Sequence, residues 1–438
     1  MYMHPVQEIV QRNKAGRGVG VFSCCSANRD VVKAVLVKAQ KTKTIALIES
    51  TSNQVNPEGG YTGMTAADFR DFVYELADSI GLDRSRIILG GDHLGPLPWC
   101  DEPEETCMEK AAALVESCVM AGYSKIHLDT SMRVGDDNPH IPLDVGVCAR
   151  RGAFLCERAE EAFACYAAEH SDAEPPVYVL GSEVPVPGGD TDADAVMGVT
   201  DVENCKKTIE TYEREFEAHG LQDALSRVVG FVVEMGVEFH ERTLDEYDSA
   251  AAQALCAYMR QKPFAIEGHS SDYQTQDNLK QMCVDGVSIL KVGPAFTFSM
   301  REALFALEEI ESRVYANKPQ RRSYFRDVLE RVMLDNPGYW KDYYKGDSND
   351  QAISRAYSFY DRARYYMSQP EVQAARKKLL DNLAHGEIPL CMLSQYLPHQ
   401  YYRVRTGELE NDAESILLDR IGDRIDAYLH ATKNNGEM

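Results

Sequence analysis

The sequence predicts an α/β fold, a (β/α)8 TIM barrel followed by a C-terminal helical extension. Eight short apolar runs rich in β-branched residues recur up to Val292, with amphipathic helical stretches between them. Near-continuous hydrophobicity within each run is typical of parallel strands covered on both faces. A doubly wound open sheet is the alternative, but the first strand-to-helix turn, Ser23–Asn28, lacks the Gly-x-Gly-x-x-Gly fingerprint. The count of units and this absence favour the barrel.

The predicted strands follow one another at spacings that leave room for a helix after each. In chain order they are Val19–Ser23, Thr44–Glu49, Arg86–Gly90, Lys125–Asp129, Val177–Gly181, Val228–Val233, Phe264–Glu267 and Val287–Val292. Two of the helices have a clear start, since Thr65 with Asp68 and Thr200 with Glu203 have the spacing of a capping box. Crossovers between parallel strands are right-handed, so consecutive strand-helix units turn in the same direction and their sheet can close into a barrel.

The amino-acid composition of the chain changes from about Asn317. Two stretches, Tyr339–Asp347 and Tyr357–Tyr366, are dense in tyrosine and charge, and no strand run follows them. We therefore predict two domains, a barrel with the active-site mouth over residues 1–316 and a helical region over residues 317–438. Its aromatic residues are expected to pack on the barrel or on a partner subunit, which favours a homo-oligomer.

Composition excludes several partners. The 438 residues carry a formal net charge of −23, which repels nucleic acid and anionic membranes. No apolar run approaches the roughly 20 residues that span a bilayer, and the first residues lack the layout of a secretion signal, so we expect a cytoplasmic protein. An anionic substrate would need a local cationic or dipolar pocket.

The twelve cysteines show no Cys-x-x-Cys pair. In a reducing compartment such residues usually act as small apolar core groups. We expect this of the cysteines within helical stretches, which are Cys118, Cys156, Cys165 and Cys256. Cys24 and Cys25 differ, because they end a strand run where a side chain could face a pocket.

The most informative stretch is Gly90–Pro96, which follows the third apolar run directly. An acidic group beside an imidazole at the end of a buried strand can combine proton transfer with metal binding. The surrounding glycines allow a substrate to approach the backbone. Asp92 is therefore a predicted catalytic residue and His93 a predicted metal ligand.

Further polar residues stand at the carboxyl ends of the other predicted strands, which converge on one mouth in a barrel. In chain order they are Glu49, Asn53, Gln54, His127, Asp129, Glu183, Glu234, Glu238, His269, Ser270, Ser271, Asp272, Lys291 and Gly293. So many buried ionisable groups are costly unless metal, substrate or mutual pairing compensates. His127 and Asp129 alternate with apolar neighbours and point into the barrel, and we expect one of the two to be a structural hydrogen-bonding residue.

Two lysines invite separate interpretations. Lys291 in a barrel mouth could form a Schiff base with a carbonyl substrate, or contact a phosphate beside Gly293, and we favour the phosphate contact. Lys125 begins its strand, at the opposite end of the barrel from the predicted site, and we expect a structural role for it.

Six sequence blocks carry a family resemblance that covers nearly the whole chain. They are Glu49–Asn56, Gly59–Thr65, Gly90–Pro96, Gly181–Gly189, His269–Thr275 and Leu290–Ala295, and Ser394–Pro398 extends the likeness into the tail. They resemble the non-catalytic Z subunit family of class II D-tagatose-1,6-bisphosphate aldolase, including related tagatose-6-phosphate 4-epimerases. The resemblance implies a barrel of the class II aldolase type that acts on phosphorylated ketohexoses.

The same resemblance implies roles for individual residues. In zinc-dependent class II aldolases, a pair like Asp92-His93 handles a proton and binds the metal, so a divalent metal, with zinc preferred, is expected here. Glu183 resembles the aldolase glutamate on its loop, and the block from His269 to Ser271 resembles the one that binds metal and phosphate. The sixth strand departs, because Glu234 stands where aldolases have a histidine ligand. The third ligand is then a carboxylate or is absent.

Two functions remain open at this stage. In the first, which we favour, the chain is an enzyme that breaks and re-forms the C3–C4 bond and so interconverts tagatose 6-phosphate and fructose 6-phosphate. In the second, it is a non-catalytic subunit that stabilises a separate catalytic aldolase subunit. A kinase role finds no Walker-type Gly-x-x-x-x-Gly-Lys-Ser/Thr loop in the sequence.

Overall fold

The computed structural model describes residues 3–181, 198–384 and 388–433. Within these ranges the strands are β1 (Val21–Cys25), β2 (Ala46–Thr51), β3 (Ile87–Leu94), β4 (Lys125–Leu128), β5 (Val177–Leu180), β6 (Val228–Val232), β7 (Glu238–Phe239), β8 (Leu244–Asp245), β9 (Ala265–Gly268) and β10 (Val287–Val292). Eight of them close a barrel in the order β1-β10-β9-β6-β5-β4-β3-β2, and every pairing in it is parallel. The predicted barrel is confirmed. The short strands β7 and β8 form a separate antiparallel ribbon.

The α-helices of the described residues surround this barrel. They are α1 (Pro5–Arg12), α2 (Arg29–Thr42), α3 (Ala66–Ile80), α4 (Glu104–Met120), α5 (Val145–Glu169), α6 (Val202–Ala218), α7 (Gln222–Leu225), α8 (Ser249–Met259), α9 (Gln276–Asp285), α10 (Pro294–Val314), α11 (Phe325–Asp335), α12 (Ser348–Tyr357), α13 (Pro370–Asn382), α14 (Leu390–Tyr396), α15 (Pro398–Thr406) and α16 (Ala413–Thr432). The capping box of Thr65 and Asp68 is confirmed. The predicted cap at Thr200 is wrong by one residue, because the Asp201 carboxylate accepts the free amides of α6.

The last described helix, α16, packs on the outside of the barrel among the earlier helices. α16 packs against α9, α10 and α2, and the carbonyl of Thr432 accepts a hydrogen bond from Gly20 just before β1. The ring of Tyr428 lies against Phe22 of β1 and Phe296 of α10, with centroids 5.8 and 5.6 Å away. The C-terminal region is thus helical as predicted, and its final described helix, α16, covers β1.

The barrel interior has an apolar floor. α1 places Val6, Ile9 and Val10 against the inward-facing residues of several strands, such as Val21 and Val179. A second, larger apolar core lies between the strands and the surrounding helices. Because the lower interior is filled by hydrocarbon, polar side chains from the strands are confined to the levels above it.

The structure also bears on the composition arguments. None of the helices in the described part of the chain is long and apolar enough to cross a membrane. All twelve cysteines are free thiols, and eight of them are buried. The core role predicted for Cys165 is wrong, since this residue is exposed on α5.

Candidate metal centre at the barrel mouth

Three imidazoles from three strands form a near-equilateral triangle at the carboxyl end of the barrel. The ring centroids of His93, His127 and His269 lie 4.9 to 5.2 Å apart. All three side chains are buried, together with Asp92. Ligand atoms of these four residues lie within 4.8 Å of one another, which is the spacing that a single metal ion requires.

Each imidazole is oriented through one ring nitrogen by a carboxylate. His93 Nδ1 lies 2.7 Å from Asp129 Oδ2, His127 Nδ1 lies 3.0 Å from Asp92 Oδ1, and His269 Nε2 lies 3.1 Å from Glu267 Oε1. At His93 and His269 pairing of this kind fixes the ring and leaves the other nitrogen for a metal, as in the usual outer shell of metal-binding histidines. His127 Nδ1 differs, because the backbone amide of His93 also donates to it at 3.2 Å.

One structural observation supports the fit of these donor atoms to a divalent metal. The Nε2 atom of His127 is buried and has no hydrogen-bond partner among the described residues. A buried imidazole nitrogen without a partner is costly, and a bound cation would satisfy it. Nitrogen and carboxylate ligands together suit zinc and several other divalent transition metals.

The local electrostatics differ between the imidazoles. Burial alone would lower the pKa of His93, but Asp92 and Asp129 raise it above its ordinary value and favour the protonated ring. Burial lowers the pKa of His269 to about 4, so this imidazole is neutral near pH 7, the form that binds metals. Burial alone would raise the pKa of Asp129, but the hydrogen bond from His93 outweighs it and lowers the pKa to about 2. Burial alone would also raise the pKa of Asp92, but His93 and Lys291 hold it well below its usual range.

Beneath the imidazoles lies a layer of alternating charges. Lys125 Nζ lies 2.7 Å from Glu49 Oε1 and 2.8 Å from Glu267 Oε2, and all three side chains are fully buried. Lys291 contacts Glu49 and lies 2.9 Å from Asp92 Oδ1. Lys125 does start its strand as expected, but its side chain reaches the charges that support the site. Its structural role is therefore electrostatic.

This layer bears on the two interpretations of Lys291. Burial alone would lower the pKa of Lys291, but Asp92, Cys25 and Glu49 raise it well above its ordinary value. A permanently protonated amine is not a nucleophile, which disfavours Schiff-base chemistry. Ligand atoms of Cys25, Glu49 and Asp92 also lie close together, but the Lys291 ammonium already contacts both carboxylates there.

The backbone is strained where two strands deliver their side chains. His93 and Ser270 have φ values of 49° and 51°, in the left-handed region that non-glycine residues rarely adopt. Such outliers persist where the surroundings impose them and cluster at functional sites. Gly95 permits the turn after His93, because a Cβ atom there would lie 1.7 Å from the Asp129 carbonyl oxygen.

A cavity opens above the triangle, and most predicted residues line it. The predicted residues on its wall are Asn53, Gln54, Asp92, His93, His269, Ser270, Asp272, Lys291 and Gly293. Glu49, His127, Asp129 and Ser271 are buried, and the Ser271 hydroxyl donates to the Lys291 carbonyl. Glu234 follows β6, its backbone amide donates a hydrogen bond to Thr200 Oγ1 at 2.9 Å, and it is not among the four clustered residues. Glu183 lies outside the described residues.

The start of α10 is occupied by a carboxylate. Asp272 Oδ1 accepts hydrogen bonds from the amides of Gly293 and Ala295, at 3.0 and 2.8 Å. These amides carry the positive end of the helix dipole, so the carboxylate satisfies them. Burial raises the pKa of Asp272 to about 6. Gly293 therefore already has an anionic partner within the protein.

Several residues on the cavity wall were not predicted from the sequence. They include Thr51 from β2 and Tyr61 from the loop after it, whereas Cys25 faces the cavity as its place at the end of β1 suggested. Arg364 and Tyr365 belong to the C-terminal region, far along the chain from the barrel strands. The stretch Tyr357–Tyr366 stood out for its tyrosine and charge, but no sequence signal placed it at the mouth.

Comparison with known proteins shows the family of this chain. Residues 6–433 match the profile of the GatZ/KbaZ-like D-tagatose-1,6-bisphosphate aldolase subunits. The chain belongs to this GatZ/KbaZ-like family. The resemblance carried by the sequence blocks is thereby confirmed, because the match spans almost all of the 438 residues.

Individual members of the GatZ/KbaZ-like family are similar over their full lengths. The D-tagatose-1,6-bisphosphate aldolase subunit GatZ of Klebsiella pneumoniae subsp. pneumoniae is 44% identical over 423 residues, covering 97% of this chain and 98% of the relative. GatZ of Salmonella enteritidis PT4 is 43% identical with the same coverage. A crystal structure described as a probable tagatose 6 phosphate kinase from Sinorhizobium meliloti 1021 has a TM-score of 0.85 at 39% identity, covering 94% of this chain and 100% of that one.

Proposed function

We propose that this chain is the Z-type subunit of a D-tagatose-1,6-bisphosphate aldolase and acts in the metabolism of phosphorylated ketohexoses. The relatives at 43 and 44% identity carry this name, and they align with nearly all of the chain. They favour the subunit interpretation over the independent epimerase that the sequence led us to prefer. The observation that carries a role in sugar chemistry is the buried triangle of His93, His127 and His269 with Asp92.

In this proposal the barrel mouth holds one divalent metal, with zinc as the first candidate. His93, His127 and His269 would supply nitrogen ligands and Asp92 an oxygen. A metal bound there would polarise the carbonyl and hydroxyl oxygens of a ketose phosphate. Asp92 also lines the cavity, where its carboxylate can accept the proton of a substrate hydroxyl. Lys291, held beside Asp92, keeps that carboxylate oriented.

The proposed assembly contains a separate catalytic aldolase subunit and more than one copy of this chain, in the cytoplasm. The free state of all twelve thiols supports a reducing compartment. A kinase activity is not proposed, because the sequence lacks a Walker-type phosphate loop.

One observation favours a second candidate, C4 epimerisation of tagatose 6-phosphate by this chain alone. The residues of the metal-type cluster and of the charge layer beneath it are buried, and each of them is an ionisable group. Unsatisfied buried ionisable groups destabilise a fold, so a purely supporting subunit would gain stability by replacing them with apolar residues. Their presence is easier to explain if they contact a substrate.

One set of assays separates the two candidates. The metal-loaded chain is incubated alone with tagatose 6-phosphate, and separately with a small catalytic aldolase subunit and tagatose 1,6-bisphosphate, with Asp92→Asn as the matched variant. The subunit function predicts increased activity or stability of the added aldolase, and co-elution with it. Formation of fructose 6-phosphate by the chain alone, lost in Asp92→Asn, would establish the epimerase instead. The absence of both effects would overturn the proposal.

A further inference from the structure

We propose that Arg364, from the C-terminal helical region, is the residue that binds the phosphate group of the substrate, so that this region completes the site in the barrel mouth. The identity of the sugar rests on the proposed function, whereas the binding of a phosphate anion by Arg364 does not.

The position of Arg364 places its charge beside the metal-type cluster. It lies in the 3-10 segment Arg362–Tyr366 and lines the same cavity as Asp92, His93 and His269. It also lines a second cavity, of about 250 Å³, which is walled by residues at the starts of α2 and α10. The guanidinium therefore stands where the two spaces meet, with the cluster on one side.

The hydrogen bonds of Arg364 leave part of its guanidinium available. Nη1 donates to the carbonyls of Tyr360 and Asp361, and Nη2 donates to the Tyr365 hydroxyl at 3.0 Å. A guanidinium has five N–H donors, so the Nε–H and the second Nη2 proton have no acceptor among the described residues. Nε and Nη2 share one edge of the guanidinium, the planar fork that can bind phosphate with two parallel hydrogen bonds.

Aromatic packing holds this fork in place before any ligand arrives. The Arg364 guanidinium lies 4.5 Å from the centre of the Tyr365 ring. Tyr365 packs in turn against Tyr61, at 5.0 Å, and stacks on Tyr339, also at 5.0 Å. Preorganisation of this kind reduces the entropy lost when an anion binds.

The other positive groups around the cavity are already neutralised. Lys291 contacts the carboxylates of Glu49 and Asp92, and the amides at the start of α10 bind Asp272. Arg364, in contrast, forms no ion pair within 4.0 Å among the described residues, and the carboxylates of Asp361 and Asp272 act on its charge only over a longer distance. In a chain with a net charge of −23, a cation without an ion-pair partner on the wall of this cavity attracts a phosphate locally.

Calorimetric titration of the full chain tests the inference with three probes: inorganic phosphate, tagatose 6-phosphate and unphosphorylated D-tagatose. Arg364→Met should weaken binding of both phosphate compounds about 30-fold or more, and change binding of D-tagatose less than about threefold. Arg364→Lys keeps the charge but loses the fork, and should weaken phosphate binding by about fivefold or more. Arg313→Met, at the exposed end of α10, serves as the control and should bind every probe as the wild type does.

The outcomes separate the inference from the proposed function. The role of Arg364 would be overturned if the wild type did not bind inorganic phosphate. It would also be overturned if the wild type and Arg364→Met bound inorganic phosphate with the same affinity. Should Arg364→Met fail to fold, an unchanged affinity in a folded Arg364→Lys would overturn it equally. If phosphate binding depends on Arg364 but no ketose phosphate binds more tightly than inorganic phosphate, the anion site stands and the proposed function fails.

Discussion

Asp129 accepts a hydrogen bond from the ring of His93, with 2.7 Å between Oδ2 and Nδ1, and both side chains are buried. A carboxylate can only accept, so the Nδ1 atom of His93 carries a proton. In the neutral ring this tautomer directs the Nε2 lone pair at the cluster, and a bound cation would displace the second proton that Asp92 and Asp129 favour by raising the pKa of His93.

Asp129→Asn should weaken metal binding about 10- to 100-fold, because the amide no longer stabilises this tautomer. A zinc titration against a competing chelator measures the effect. Asp245→Asn is a matched control, since Asp245 pairs with His240 at 2.9 Å but lies outside the cluster, and its zinc affinity should be unchanged. Equal zinc affinity in Asp129→Asn and the wild type would contradict the arrangement.

His127→Gln should remove most of the stabilisation that zinc gives to the fold. At a zinc concentration 100 times the dissociation constant, the wild type should gain about 2.7 kcal/mol in the free energy of unfolding, and a chelator should reverse this gain. Melting curves with zinc and with chelator measure the gain in each variant. His219→Gln changes an exposed histidine that pairs with Glu157 and should keep the full gain. A full gain in His127→Gln would exclude it as a ligand.

Sequence patterns predicted the barrel and much of its mouth, because parallel strands of one barrel deliver their carboxyl ends to one place. Asp92, His93 and His269 lie together at the mouth, although His93 and His269 are 176 positions apart in the sequence. Whether His127 belongs to the same cluster was left open. The alternation of polar and apolar residues shows that its side chain points into the barrel, but not at which level along the barrel axis it lies. Arg364 could not be predicted, because its place depends on how the helical region packs across the mouth.

The sequence also did not predict how far the long side chain of Lys125 extends from its Cα atom. Lys125 begins β4, yet its ammonium lies between Glu49 and Glu267 in the middle of the barrel. The position of a residue along a strand predicts the level of its Cα atom. A flexible four-carbon side chain can carry the charge a full layer further.

Lys125→Met should lower the free energy of unfolding by about 3–5 kcal/mol, because it removes the ammonium that two buried carboxylates, Glu49 and Glu267, share. Adding Glu267→Gln to it should recover part of this loss, and a double-mutant cycle in denaturant measures the coupling. Lys110→Met breaks a partly exposed pair with Glu102 and should cost less than about 1 kcal/mol. A similar small loss for Lys125→Met would refute the charge layer.

Asp272→Asn should stabilise the protein at pH 8 and leave its stability unchanged near pH 4. Burial raises the folded-state pKa of Asp272 to about 6, above its ordinary value of 3.8, so the folded state binds the proton more tightly than the unfolded state. The stabilisation from this residue is therefore present at low pH and is lost as the pH rises through about 6. The asparagine oxygen can still accept both amides of α10, and the gain at pH 8 should be about 1–3 kcal/mol.

Denaturant unfolding between pH 4 and pH 8 measures this difference. Asp68→Asn provides a contrast of opposite sign, because hydrogen bonds from Thr65 lower the pKa of Asp68, so its contribution is present at neutral pH and lost on acidification. A lower stability of Asp272→Asn at pH 8 would show that the charged carboxylate is favourable at the start of α10.

The final prediction concerns α16, which lies within the barrel wall although it is the last helix in the sequence. A chain that ends at residue 411 should fail to fold cooperatively, because β1 and the faces of α2 and α9 would lose their covering helix. Tyr428→Ala tests the same packing within the full chain. It removes a buried ring from Phe22 and Phe296, and it removes the hydroxyl that donates to the Ser271 carbonyl at 2.9 Å. This substitution should cost about 3–5 kcal/mol.

Thermal melting monitored by circular dichroism checks both changes. A chain that ends at residue 433 retains α16 and should melt as the full protein does, which controls for the effect of truncation itself. Cooperative melting of the chain that ends at residue 411 would show that the strands and the earlier helices suffice. The barrel would then be an independent domain, as the division at residue 316 supposes, and α16 would only pack on its surface.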